Sequence, residues 1–200
     1  MSLQTSYTFI APFYDIFIAQ ATLSSRKRSL SEIADAPASR VLIAGIGTGL
    51  DLPHLPTQHA YVGVDLTSAM LKRGQRLSHQ ANIKFVQGSV THLPFPDASF
   101  DTAILHLILA VVPDPVACLG EISRVLRPNG SVLIFDKFLR PGERALAKRF
   151  LNRLSRHVAT RLDVVFEDVL QTCPSLSCNR NEPTMAGNWF RLIKLRKSRM

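Results

Sequence analysis

VLIAGIGTGLDLPHL, residues 41–55, runs four apolar residues into a Gly-x-Gly-x-Gly turn and then into a segment that can open a helix. A buried strand that ends in closely spaced glycines lets the backbone approach a ligand, because Gly45, Gly47 and Gly49 remove the side chains that would keep it away. Read alone, the stretch has two meanings. It holds a nucleotide-like ligand, or it is a strand turn that needs glycine for tight packing.

Working outward, the elements alternate. Apolar runs suited to strands fall near 40–44, 61–65, 83–87, 100–106 and 131–136, with helical patterns near 67–80 and 114–126 between them. Beyond Asp136 come a long basic helix, a shorter helix near 163–171 and two strands near 175–181 and 188–196. This order predicts an α/β fold, a Rossmann-like doubly wound, mostly parallel seven-stranded sheet with helices on both faces. In such a sheet ligands lie beyond the carboxyl ends of the strands, where strand order reverses. The glycine loop, Asp65, Ser89 with Val90, and Leu105 with His106 close four successive strands and are expected to line one crevice. Asp65 follows Gly45 by twenty residues, where a carboxylate accepts from both hydroxyls of a ribose; the alternative is a cap for the next helix. A dinucleotide fingerprint reads Gly-x-Gly-x-x-Gly, so the spacing here disfavours NAD.

With 200 residues and 46% hydrophobic content, the chain is expected to form one domain over 1–200. Within it, 1–35 reads as an N-terminal helical lid, 36–137 as the cofactor-binding core, and 138–200 as the basic helix and C-terminal strands. Cys118, Cys173 and Cys178 have neither metal-ligand spacing nor the density of a disulfide scaffold, which suits reduced thiols in a cytoplasmic protein. The apolar stretch SYTFIAPFYDIFIAQATL contains Pro12 and Asp15 and lacks a leading basic region, which argues against a signal peptide or a membrane span. The formal charge of +9 predicts affinity for a polyanion, although basic charge also serves solubility. It is clustered: residues 137–161 carry eight Lys or Arg against the single Glu143.

GIGTG after a strand, then VGVDLTSAML, then LPFPDASFDTAILHLILAVVPDP and EISRVLRPNGSVLI, resembles the class I S-adenosylmethionine-dependent methyltransferase family over most of the chain. Within it, YTFIAPFYD, SSRKRSL, GTGLDLP and HLILAVVPDP resemble the soluble bacterial phosphatidylethanolamine N-methyltransferases, which are similar in turn to quinone-biosynthesis methyltransferases. The resemblance implies S-adenosyl-L-methionine as cofactor. Gly45, Gly47 and Gly49 would lie along its methionine part, Asp65 would hold the ribose, Leu66 and Met70 would border the adenine, and Ser89, Val90 and Leu105 would complete the site. Two positions depart from the pattern. Ile43 stands where members often carry an acid for the ammonium end, and Ser89 where they often carry the Asp that meets the adenine amino group. The first departure predicts a weaker cofactor site or compensation by Tyr7 or the Arg26–Arg28 region.

Methyl transfer from a sulfonium needs positioning and exclusion of water more than reacting protein groups. An amine acceptor must arrive neutral, which a partly buried aromatic pocket favours. Tyr7, Phe9, Phe13 and Tyr14 form such a pocket if the N-terminal segment closes over the crevice; otherwise they are the apolar face of a packing helix. His106 and Tyr14 are the candidate catalytic residues, His106 either accepting a proton from the amine or pairing with structure. The remaining histidines show no metal spacing, so no metal is expected. Ala147, Phe150, Leu151, Leu154 and Val158 face away from Arg144, Lys148, Arg149, Arg153 and Arg156 on an amphipathic helix. Such a helix lies in an anionic membrane surface, or packs on the sheet with its basic face solvated. Nucleic acid is not expected, since HLIL replaces the Asn/Asp-Pro-Pro-aromatic signature of base-amine methyltransferases. The leading expectation is a cytoplasmic enzyme, peripheral on the inner membrane face, that N-methylates a phosphatidylethanolamine-type phospholipid. A small or quinone-like apolar acceptor, and a catalytically silent cofactor-binding or membrane-docking protein, stay open beside it.

Overall fold

The computed structural model describes residues 20–78, 82–139, 164–185 and 189–199. Seven strands form one sheet: β1 (Arg40–Ala44), β2 (Ala60–Asp65), β3 (Ile83–Gln87), β4 (Phe100–His106), β5 (Leu126–Lys137), β6 (Leu176–Met185) and β7 (Phe190–Lys197). Their order is β3-β2-β1-β4-β5-β7-β6. β1 pairs in parallel with both β2 and β4, and β4 with β5, whereas β7 runs antiparallel between β5 and β6. The order reverses between β1 and β4. The crevice therefore opens at the carboxyl ends of those two strands.

β1 is buried along four of its five residues, as a central parallel strand must be, and its side chains alternate between two cores. On one face Leu42, Val64, Leu105 and Ile134 pack with Cys118, Leu119 and Ile122 of α3 (Pro115–Val125) and with Phe166 and Val169 of α4 (Phe166–Gln171). On the other, Val41, Ile43, Ile104 and Leu133 pack with Leu30 at the end of α1 (described over 20–30), with Leu52, and with Leu71 of α2 (Ser68–Leu77). Helices thus cover both faces.

Local chemistry sets the helix ends. Asp114 accepts the Ala117 N–H at 2.9 Å and Pro115 occupies the first turn, so α3 starts there. At its other end Lys197 Nζ, reaching from β7, donates to the carbonyls of Ser123 and Leu126 at 2.7 and 2.8 Å. α2 stops at Leu77 instead of running to 80, and the Ser78 hydroxyl donates to the Gln75 carbonyl at 2.8 Å. β5 begins earlier than the expected 131, directly at the end of α3, with Asn129 at φ +60° inside it and a register shift opposite Phe100/Thr102.

α1 is fastened to the β6–β7 hairpin. Ser25 Oγ lies 2.8 Å from Thr184 Oγ1, Arg28 pairs with Glu182, and Lys194 Nζ donates to Glu32 at 2.8 Å. The described part of the segment expected to be a lid is therefore packed on the sheet. Residues 1–19 and the basic helix expected at 141–158 lie outside the described residues. Among the described residues no helix is long and apolar enough to cross a membrane.

Candidate active site

The three loop glycines do different work. Gly45, Gly47 and Gly49 have φ of +70°, +55° and +84°, a region that side chains rarely adopt. A Cβ on Gly45 would stand 2.4 Å from Ile108 Cδ1, and one on Gly49 would stand 2.5 Å from Leu52 Cδ1 and 3.1 Å from Gly74 Cα. One on Gly47 would meet only the Gly45 carbonyl oxygen, at 4.0 Å. Tight packing and open backbone are thus both present in the same loop. The outer glycines seat it against α2 and the segment after β4, and the middle one leaves its surface clear.

Asp65 ends β2 beside that surface. Its Oδ2 accepts the Gly47 N–H at 2.9 Å and its Oδ1 accepts the Thr67 N–H at 3.0 Å, so it fixes the loop and the entry to α2 together. Burial pushes the carboxyl up from the usual range, against the pull of these N–H groups. Each oxygen keeps acceptor capacity. The next residue, Leu66, is 59% exposed, and Met70 is half-buried in the first turn of α2. Clear backbone, a carboxylate with spare lone pairs and an exposed apolar side chain fit the ribose and flat base of S-adenosylmethionine.

The other expected contacts are less open. Ser89 Oγ lies 2.7 Å from Thr91 Oγ1 and accepts the Thr91 N–H at 3.2 Å, so its hydroxyl is engaged within its own turn. Val90 and Leu105 bury their side chains in the core and have only backbone to offer a ligand. Ile43 is likewise core, with Ile104 and Leu133. Tyr7 and Tyr14 lie outside the described residues.

The polar centre of the crevice is one the sequence reading passed over. Asp51, two residues beyond Gly49, is 5% exposed and accepts from Arg26 Nη1 at 2.7 Å. His106 Nδ1 lies 3.0 and 3.1 Å from its two oxygens, and His106 Nε2 lies 2.9 Å from Ser29 Oγ. Arg26 Nε donates in turn to Thr22 Oγ1 at 2.9 Å. Burial pushes the Asp51 carboxyl up, but the charges and hydrogen bonds of His106 and Arg26 together hold it well below the usual carboxylate range. The sequence held one signal for this, a charged residue within the otherwise apolar GLDLPHL, and Arg26 falls in the region expected to compensate for Ile43. The sequence reading leaves His106 either at a substrate amine or paired with structure. With both ring nitrogens engaged and 6% exposure, it ties α1 to the glycine loop.

Beyond His106 the backbone turns sharply. Leu107 has φ +58°, an uncommon conformation for a side chain of its size, and its N–H reaches the Phe135 carbonyl at 2.8 Å. Asp136, fully buried at the end of β5, accepts the Ala110 N–H at 3.0 Å and so holds the segment that packs over Gly45. Burial pushes that carboxyl up.

Comparison with known proteins adds four findings. A family model described as a methyltransferase domain matches residues 42–134. The chain is 31% identical over 194 residues to a phosphatidylethanolamine N-methyltransferase of Cereibacter sphaeroides, covering 92% of each chain. It is 33% identical over 146 residues to a demethylmenaquinone methyltransferase of Mycobacterium sp. (strain KMS), covering 69% of this chain and 61% of that one. In fold it is similar to the S-adenosylmethionine-dependent methyltransferase from Mesorhizobium loti, with a TM-score of 0.66, 19% identity, and 88% and 98% of the two chains covered.

Proposed function

This chain belongs to the methyltransferase domain family as an S-adenosylmethionine-dependent enzyme, and on that premise we propose that its acceptor is the head-group amine of a phosphatidylethanolamine-type phospholipid, met at a membrane surface. The observation that carries this reading is the extent of likeness to the Cereibacter sphaeroides protein: 92% of both chains, beyond the shared core. The chain spans only 61% of the demethylmenaquinone relative.

Bound in the crevice, S-adenosylmethionine supplies an electrophilic methyl group that carries its own leaving group. The chain's part is to bind, orient and exclude water. In this reading the open backbone at Gly47 lies along the cofactor, with Gly45 and Gly49 holding the loop in place. Asp65 accepts from the ribose hydroxyls with the lone pairs left by Gly47 and Thr67, and Leu66 and Met70 flank the base. Ser89 and the backbone of Val90 border the adenine, and the Leu105 backbone borders the methionine end. Tyr7 and Tyr14, outside the described residues, would favour the neutral amine if the N-terminal segment closes over the crevice. His106 acts as a positioning residue, since Asp51 and Ser29 engage its two nitrogens.

A second reading, a small or quinone-like apolar acceptor, draws on the 33% identity to the demethylmenaquinone relative. One experiment separates them. The full chain is incubated with methyl-labelled S-adenosylmethionine and either phosphatidylethanolamine vesicles or a detergent-dispersed quinol, and the products are resolved by chromatography. Label on mono-, di- or trimethylated phosphatidylethanolamine is the expected result. Label on the quinol alone overturns the lipid reading.

A further inference from the structure

Several charged side chains near the crevice are paired. Arg26 has Asp51, Lys194 has Glu32, and Arg191 has Glu167. Lys137 differs. It is the last residue of β5, half-buried, and among the described residues its ammonium makes neither an ion pair nor a side-chain hydrogen bond. The nearest charge, on Asp136, is already taken up by the backbone N–H groups of Ala110 and of Lys137 itself. By strand alternation Asp136 also points to the opposite face of the sheet.

The position is specific. Lys137 shares a sheet face with Phe135, whose ring lies 6.0 Å edge-on from that of His106 and 5.7 Å stacked from that of Phe190. Phe190 is the register partner of Lys137 on β7, and the Trp189 ring lies 6.0 Å from Phe190. A cation thus stands at the carboxyl edge of β5, one strand from the switch point, beside an aromatic wall. Burial pushes its ammonium down from the usual lysine range, and the through-space attraction of Asp136 offsets this only in part. Half-burying an ammonium without a counter-ion costs free energy that a bound anion returns.

We infer that Lys137 binds an oxyanion of the methyl acceptor, the phosphodiester of a phospholipid head group. This rests on the phospholipid reading above. In ethanolamine phospholipids the amine stands two carbons from the phosphate ester. A cation fixed at the end of β5 therefore sets where the nitrogen falls in the crevice and selects an amine that carries a phosphate.

The test uses the full chain and Lys137→Met, which keeps length and removes charge, with Lys137→Arg as the conservative partner. With phosphatidylethanolamine vesicles, Lys137→Met is expected to raise KM about tenfold or more, as loss of one charge-assisted hydrogen bond implies, and Lys137→Arg to recover most of it. The deficit should be smaller for hexadecylamine, an amine without phosphate. An unchanged KM for phosphatidylethanolamine in folded Lys137→Met, or an equal rise for both amines, overturns the inference. A second readout stands apart from turnover: calorimetry with hexadecyl phosphate and, separately, inorganic phosphate. Binding of hexadecyl phosphate by the parent that Lys137→Met loses supports the inference, and equal or no binding overturns it. Binding of inorganic phosphate as tightly as hexadecyl phosphate would make the site one for free phosphate and also overturn it. Should the parent methylate no phospholipid, the acceptor reading fails, and the hexadecyl phosphate arm still decides on Lys137. If Lys137→Met fails to fold, Lys137→Gln takes its place.

Discussion

Neutralising Asp51 leaves the buried guanidinium of Arg26, on α1, without that counter-ion, and the cost of the stranded charge exceeds the worth of the pair itself. Asp51→Asn is therefore expected to destabilise the protein by about 3–5 kcal/mol, read as a fall in the denaturant midpoint at constant slope. Arg26→Met combined with Asp51→Leu, which removes both charges, should cost less than Asp51→Asn alone. A smaller loss in Asp51→Asn than in the double variant would show that Arg26 does not depend on Asp51. The pH dependence has a definite sign. The folded carboxyl sits below its unfolded value near 3.8, so its contribution is complete above that value and lost as pH falls toward the lower folded one. Acid below about pH 4 should loosen the parent through this group, whereas Asp51→Asn should lack that part of the acid transition.

At the scale of the element, the loop between β1 and the segment that follows it divides folding from binding among three glycines. Gly47→Ala places a methyl in open space and strains a residue at φ +55°, which should cost about 1–2 kcal/mol of stability while weakening S-adenosylmethionine binding about tenfold or more. Gly49→Ala carries comparable strain at φ +84° and also presses on the backbone of α2 at Gly74, so about 3 kcal/mol of stability should be lost. Melting temperature and calorimetric Kd together rank the two, and a Gly47→Ala protein that melts lower than Gly49→Ala yet binds as well as the parent would reverse the assignment. This loop also shows how far pattern reading reaches. The strand, the turn and the acid twenty residues on are legible because glycine spacing and apolar runs are local properties of the chain. Which glycine packs and which stays open depends on Ile108 and Gly74, residues brought there only by the fold. Asp51 showed only as a charge in an apolar stretch, and its role was illegible for the same reason: its partners Arg26 and His106 lie 25 and 55 residues away.

Across the whole molecule the mostly parallel seven-stranded sheet followed from the alternation of apolar runs, and the structure adds its order, with β7 between β5 and β6 completing it as an antiparallel hairpin. The eight Lys or Arg of 137–161 face one acid in that stretch, and the four at Arg144, Lys148, Arg149 and Arg153 share one face of the expected helix. If that helix docks on lipid, each cation near an anionic surface contributes about 1 kcal/mol, so changing all four to Gln should weaken vesicle binding by about 4 kcal/mol, less what added salt screens. Co-sedimentation with phosphatidylglycerol-containing vesicles should then nearly vanish at an ionic strength of about 0.15 M while the melting temperature holds. Phe150→Ser with Leu154→Ser tests the apolar half of the same helix. Lost vesicle binding with an unchanged melting temperature means that these side chains enter the interface; a lower melting temperature with binding retained means that they pack on the sheet and that the basic face is solvated surface. A four-Gln protein that still methylates vesicle lipid as fast as the parent at that ionic strength removes the membrane from the substrate argument and leaves the small apolar acceptor as the reading to pursue.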